Sequence, residues 1–126
     1  MPRGGFVPQA EAGLVVTVRP DEGGLCLLSV AGELDYHTAP RLRAGLDEVP
    51  LDEGLALIID LSGLSYCDST GVSVLVGAYH RAKATGAALA LAGMNSDIAR
   101  VFRVIGLDQV FTSYDSVEAA ARALAG

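Results

Sequence analysis

Tryptophan is absent from this 126-residue chain, and three phenylalanines and four tyrosines are its only large rings. With half of the residues apolar and a further fifteen glycine, the interior must be built from aliphatic and small side chains, as in a layered α/β core. Basic charge is scarce as well: nine Lys and Arg against fifteen Asp and Glu leave a formal net charge of −6. Binding to a phosphate backbone depends on clustered cations that release counterions, so nucleic acid is not expected as a direct partner. Long hydrophobic runs are missing too. The longest uncharged stretches, around "STGVSVLVGAY" and "ATGAALALAGMNS", are broken by glycine and fall short of the roughly 18–20 apolar residues that span a bilayer. No membrane partner is expected.

Soft ligands are equally few. Cys26 and Cys67 lie far apart, without a Cys-x-x-Cys, and His37 and His80 are the only histidines. No metal site and no cofactor are expected; the cysteines read as two buried thiols in a reducing compartment. The opening "MPRGGFVPQAEAG" has no apolar export core and reads as a flexible tail over residues 1–13, ahead of one domain over 14–126. A cytoplasmic location is the corresponding expectation.

What is present is an alternation of strand and helix signals. "LVVTVRP" (14–20) and "LCLLSV" (25–30) flank the turn-forming "DEGG" and predict an antiparallel pair. Thr38 is placed to cap a helix with Pro40 in its first turn and Leu42, Leu46 and Val49 on its apolar face, ending before Pro50. Residues 55–61 read as a strand covered on both sides. After Ser69 the period becomes helical, with Val72, Leu75, Val76 and Tyr79 on one face and Gly86 as the stop. "AALALA" (87–92) reads as the next strand, its alanines leaving a helix as the alternative. A third helix is capped by Asn95 or Ser96, faced by Ile98, Val101, Phe102 and Ile105, and ends at Gly106. A last strand is expected at 109–111, and a last helix from about Ser116 with Val117, Ala121 and Leu124 inward.

Alternation of this kind implies parallel strands with right-handed crossovers, so every strand-to-helix loop leaves the same edge of the sheet. "AGELDYHT", "SGLSYCDST" and "AGMNSD" therefore converge there, at the edge where such sheets place ligand and partner sites. Asp35 and Ser69 become neighbours by topology.

Asp68-Ser69-Thr70-Gly71 can be read as a plain helix cap, since Asp, Ser and Thr are favoured at that position. A nucleophilic Ser69 would need a base and an orienting group, and neither is written beside it; His37 on the adjacent loop reads as solvated or capping. A phosphoacceptor asks less, because a kinase brings the nucleotide, metal and base. Ser69 at a helix N-terminus lies near free N–H groups, and Gly71 offers close approach without a Cβ.

"GELDYHTAP" followed by "DLSGLSYCDSTGVSVLVGAY" resembles the STAS-domain anti-anti-sigma factors of bacteria, over about residues 14–125. The resemblance implies a mixed, mostly parallel sheet of about five strands with about four helices, mainly on one face. It implies a non-enzymatic partner switch: the unphosphorylated chain binds an anti-sigma factor that is a GHKL-type serine kinase, frees the sigma factor, and is inactivated by phosphorylation, with a phosphatase to reset it. Ser69 matches the acceptor, and Asp35, Asp68, Thr70 and Gly71 fall with it in the partner-binding motifs. Val72 and Ser73 are minor departures, Ser73 standing where the family often has glycine. Other occupations of the same scaffold are a subunit of a larger signalling or transport assembly, a small-ligand or nucleotide module, and a weak hydrolase.

Overall fold

The computed structural model describes residues 13–21 and 23–125. Strands β1 (Leu14–Pro20) and β2 (Leu25–Leu34) form the antiparallel pair. Their turn is set locally: Asp21 Oδ1 accepts the N–H groups of Gly23 (2.8 Å) and Leu25 (3.0 Å), and Gly24 takes a φ of 85° that a side chain would disfavour. β3 (Ala56–Cys67), β4 (Ala88–Ala92) and β5 (Ser113–Tyr114) then add in sequential order, each parallel to its neighbour. The intervening helices are α1 (Ala39–Asp47), α2 (Ser69–Thr85), α3 (Ser96–Val104) and α4 (Val117–Ala125). The fold is the mixed, mostly parallel sheet with four helices that the motifs implied.

Alternation along the strands divides the interior. Leu28, Leu57, Ile59 and Leu91 point to the side of α1, α2 and α3, where they meet Leu42, Leu46, Leu75 and Phe102. Ile58 and Ala92 point the other way, against Ala120 of α4, with Leu25, Leu27, Val117 and Leu124 around them. Three helices thus share one face and α4 covers part of the other. Each fully buried Leu or Ile contributes about 1.5–3 kcal/mol, so the larger cluster dominates stability.

Several expectations need correction. The 109–111 strand is instead the end of a 3-10 turn (Leu107–Gln109) followed by a buried Phe111. Gly106 enters that turn at φ 83°, and Val110 N–H and Phe111 N–H both return to the Leu107 carbonyl. Phe111 is drawn inward by rings, edge-on to Tyr79 with centroids 5.6 Å apart and 6.1 Å from Phe102, and β5 forms only afterwards. On α3, Ile98 and Phe102 are buried, whereas Val101 and Ile105 stand 40% and 52% exposed. On α2 the most buried residues are Gly71, Val74, Leu75, Ala78 and Ala82; the expected Val72, Val76 and Tyr79 flank them. Small residues bring this helix close to the sheet, an effect that a search for large apolar residues overlooks. The expected tail over residues 1–13 lies outside the described residues except for Gly13, whose carbonyl accepts the Glu33 N–H at 2.6 Å.

Candidate functional site

β2 and β3 both run past their expected ends, and this builds the site. Their register carries Leu34 opposite Cys67, so the next residues, Asp35 and Asp68, leave adjacent parallel strands side by side. The register is irregular between Ser29 and Ala31 and again between Gly32 and Glu33, giving β3 extra residues at its end. Such bulges bend a strand and re-aim the residues beyond them. The Asp68 N–H donates to the Leu34 carbonyl at 3.0 Å, closing the gap between the two motifs.

Asp68 is the N-cap of α2. One carboxylate oxygen, Oδ1, accepts the Gly71 N–H at 2.9 Å; the other, Oδ2, accepts the Tyr36 N–H across the loop at 3.1 Å. Capping is therefore done by Asp68, which leaves Ser69 free of it. Ser69 is the first residue of α2 and is exposed, and among the described residues its hydroxyl has no protein hydrogen-bond partner. Its carbonyl accepts from the Ser73 hydroxyl at 3.0 Å. Thr70 follows, half-buried.

Thr38 occupies the N-cap position of α1 as expected, while Asp35 shapes the turn before it. The Thr38 side chain makes no cap bond to α1; its hydroxyl donates to the Glu33 carbonyl (2.8 Å) and accepts the Asp35 N–H (2.9 Å). Asp35 Oδ1 accepts instead the N–H groups of His37 (2.9 Å) and Thr38 (3.0 Å), and so shapes the turn into α1. These bonds hold the Asp35 carboxyl below its ordinary value of 3.8: the Thr38 N–H contributes most, desolvation opposes it, and the Thr38 hydroxyl, the His37 N–H and the charge of His37 add to it. The group is ionised at neutral pH.

Gly71 is buried, and a Cβ there would stand 2.5 Å from Leu34 Cγ and 3.1 Å from Cys67 Sγ. Its missing side chain serves the contact between α2 and the sheet, where sequence reasoning had it clearing a path for a partner. Cys26 is buried and Cys67 half-buried. Burial above all, helped by the Asp68 charge, pushes the Cys67 thiol up to about 11, which keeps it protonated and unreactive at neutral pH. Sequence reasoning passed over Tyr36 and Tyr66, 73% and 52% exposed at the same edge. Their position next to the two motif acids was the available signal. His37 lies against the Tyr36 ring, with centroids 5.6 Å apart.

The sheet order and the two-motif edge define a STAS domain, and the STAS-domain family model matches residues 16–120. The chain belongs to that family. It is 40% identical over 81 residues to the anti-sigma-B factor antagonist of Listeria monocytogenes, covering 64% of this chain and 71% of that one. It is 38% identical over 96 residues to the anti-sigma-B factor antagonist of Bacillus subtilis, covering 75% and 85%. Among solved structures, an anti-sigma factor antagonist from Mycobacterium paratuberculosis superposes with a TM-score of 0.81 at 26% identity, over 96% of this chain and all of that one.

Proposed function

We propose that this chain is an anti-sigma factor antagonist that, unphosphorylated, binds an anti-sigma serine kinase of GHKL type in the cytoplasm and thereby frees the sigma factor, and that phosphorylation of Ser69 ends the interaction. The observation that carries this reading is the exposed, uncommitted Ser69 hydroxyl at the first position of a 17-residue helix whose cap is supplied by a different residue. A kinase can take this hydroxyl without unfolding anything.

The charges favour release as the outcome. A phosphate adds about −1.5 to −2 charges. The α2 N-terminus tolerates them in the free protein through its dipole. Inside a closed interface the same charges must be desolvated next to the Asp35 and Asp68 carboxylates. Shifting a complex from 99:1 bound to 1:99 needs about 5.5 kcal/mol of coupling, so Ser69 belongs at the centre of the contact. Asp35 supports this placement: its Oδ2 has no protein partner among the described residues, leaving it able to meet an Arg or Lys of the kinase. Tyr36 and Tyr66 supply the amphipathic contact area that interface cores favour.

The test is binding and phosphorylation with the cognate anti-sigma kinase, using wild type, Ser69→Ala and Ser69→Asp. Ser69→Ala should bind and accept no phosphate, and Ser69→Asp should bind at least about tenfold more weakly, a loss of 1.4 kcal/mol or more. Equal binding by both variants would mean that the charge at position 69 controls nothing.

A further inference from the structure

β1 is the outer strand of the described sheet, and its hydrogen bonds determine what lies along that edge. Glu33 N–H donates to the Gly13 carbonyl and Asp21 N–H to the Leu25 carbonyl, while the register runs unbroken from Leu14 opposite Gly32 to Pro20 opposite Cys26. In an antiparallel ladder alternate residues exchange bonds with the partner strand, so Val15, Thr17 and Arg19 face β2. The N–H and C=O groups of Leu14, Val16 and Val18, and the carbonyl of Pro20, point out of the sheet. Natural edges are blunted by bulges, inward charges or covering elements. This one has no bulge, and its charged residue and proline, Arg19 and Pro20, are confined to its far end.

We propose that a second copy of the chain docks on this edge, the two β1 strands pairing antiparallel about a twofold axis at Thr17 and joining the two sheets. The edge is complementary to itself in that arrangement. Val16 of one copy and Val18 of the other exchange both their bonds, and each Leu14 N–H meets the Pro20 carbonyl opposite. Pro20 has no N–H to give in return, and the Leu14 carbonyl needs none, because Arg41 Nη1 already donates to it at 2.9 Å. The one donor missing from the edge thus faces the one acceptor already satisfied.

Beside β1 runs an open trough of about 370 Å³ lined by Val16, Val18, Arg41, Ala44, Gly45 and Glu48. Gly45 lies directly over Val16, Val18 and Leu28, so α1 straddles β1 and β2. With strands about 4.8 Å apart, the two α1 helices would lie about 10 Å apart across the axis, within helix-packing distance. α1 runs in the same direction as β1, with Arg41 near Leu14 and Gly45 against Val16 and Val18. The twofold therefore sets Arg41 of one copy opposite Glu48 of the other and brings the two exposed Ala44 side chains together. The joined sheets point their carboxyl edges in opposite directions, which leaves both Ser69 sites free.

Sedimentation velocity of the full chain from low to high micromolar concentration tests the proposal, with Ala44→Glu and Glu48→Arg as variants. Both positions are exposed, so the variants should melt close to wild type. Wild type should dimerise with rising concentration, and each variant should raise the dimer dissociation constant at least about tenfold. Amide exchange at Val16 and Val18 should slow as the dimer forms while Val15 and Thr17, already in the ladder, stay unchanged. A wild type that remains monomeric throughout, or a dimer indifferent to both substitutions, overturns the proposal.

Discussion

Asp68 holds Tyr36 as well as its own helix: the same carboxylate that accepts the Gly71 N–H at 2.9 Å accepts the Tyr36 N–H at 3.1 Å, thirty-two residues away in the chain. One side chain thereby sets the start of α2 relative to the Asp35 loop. Removing it as Asp68→Ala should cost about 1–3 kcal/mol, because a cap is lost along with a second charge-assisted bond. Asp68→Asn, with a single carbonyl oxygen, can keep only one of the two contacts and should fall between. Urea unfolding measures both. If Asp68→Asn keeps the cap and is as stable as wild type, the Tyr36 contact contributes nothing.

The Asp35 carboxyl gives the fold an acid-sensitive element. Its folded value lies below 3.8, chiefly through the Thr38 N–H. A depressed carboxyl pKa means that the unfolded chain takes up the proton first as pH falls. Its contribution is therefore complete above the unfolded value, near pH 4, and disappears as pH drops through the folded one. Melts of wild type and Asp35→Asn at pH 7, 5, 4 and 3 should show a constant gap at the two higher values and a narrowing one below. A gap that is the same at every pH would show that ionisation of Asp35 plays no part.

Thr70 offers a second hydroxyl one residue on, and helix geometry makes it the poorer acceptor in the proposed switch. One step turns a side chain by about 100°, so Thr70 does not face where Ser69 faces. It is also half-buried where Ser69 is exposed. Mapping of kinase-treated protein should place phosphate on Ser69, and Thr70→Ala should be modified at a rate within about twofold of wild type, a difference under 0.5 kcal/mol. Phosphate found mainly on Thr70 would move the acceptor by one residue.

Features governed by local chemistry were legible in the sequence. The β1–β2 turn at Asp21, the stop at Gly86 and the cap at Asn95 each depend on residues within a few positions, and each lies where it was expected. The convergence of the Asp35 and Ser69 loops was legible from topology alone. Features decided by contacts between distant residues were hidden. Phe111 left its expected strand for the rings of Tyr79 and Phe102. Thr38 makes no side-chain cap bond because the Glu33 carbonyl, at the end of β2, takes its hydroxyl. Val101 and Ile105 share a helical face with Ile98 and Phe102 by period, yet only the latter pair enters the core.

Gly71 shows most directly how packing supports the site. A methyl group there would press on Leu34 Cγ at 2.5 Å and Cδ2 at 2.8 Å, and Leu34 is fully buried at the end of β2. Leu34 must shift within a filled core, or α2 must move away from it. Gly71→Ala should therefore destabilise by about 1–3 kcal/mol through overpacking, even though alanine is the better helix former by ~1 kcal/mol. Leu34→Ala alone should cost about 2–5 kcal/mol by opening a cavity. Combined, the new methyl fills part of that cavity, so the double variant should be more stable than the sum of the single changes predicts, by about 0.5–3 kcal/mol. Chemical denaturation of the four proteins completes the cycle. Strict additivity would show that Gly71 and Leu34 do not press on one another, and that the glycine in this motif is required for some reason other than the closeness of α2 to β2.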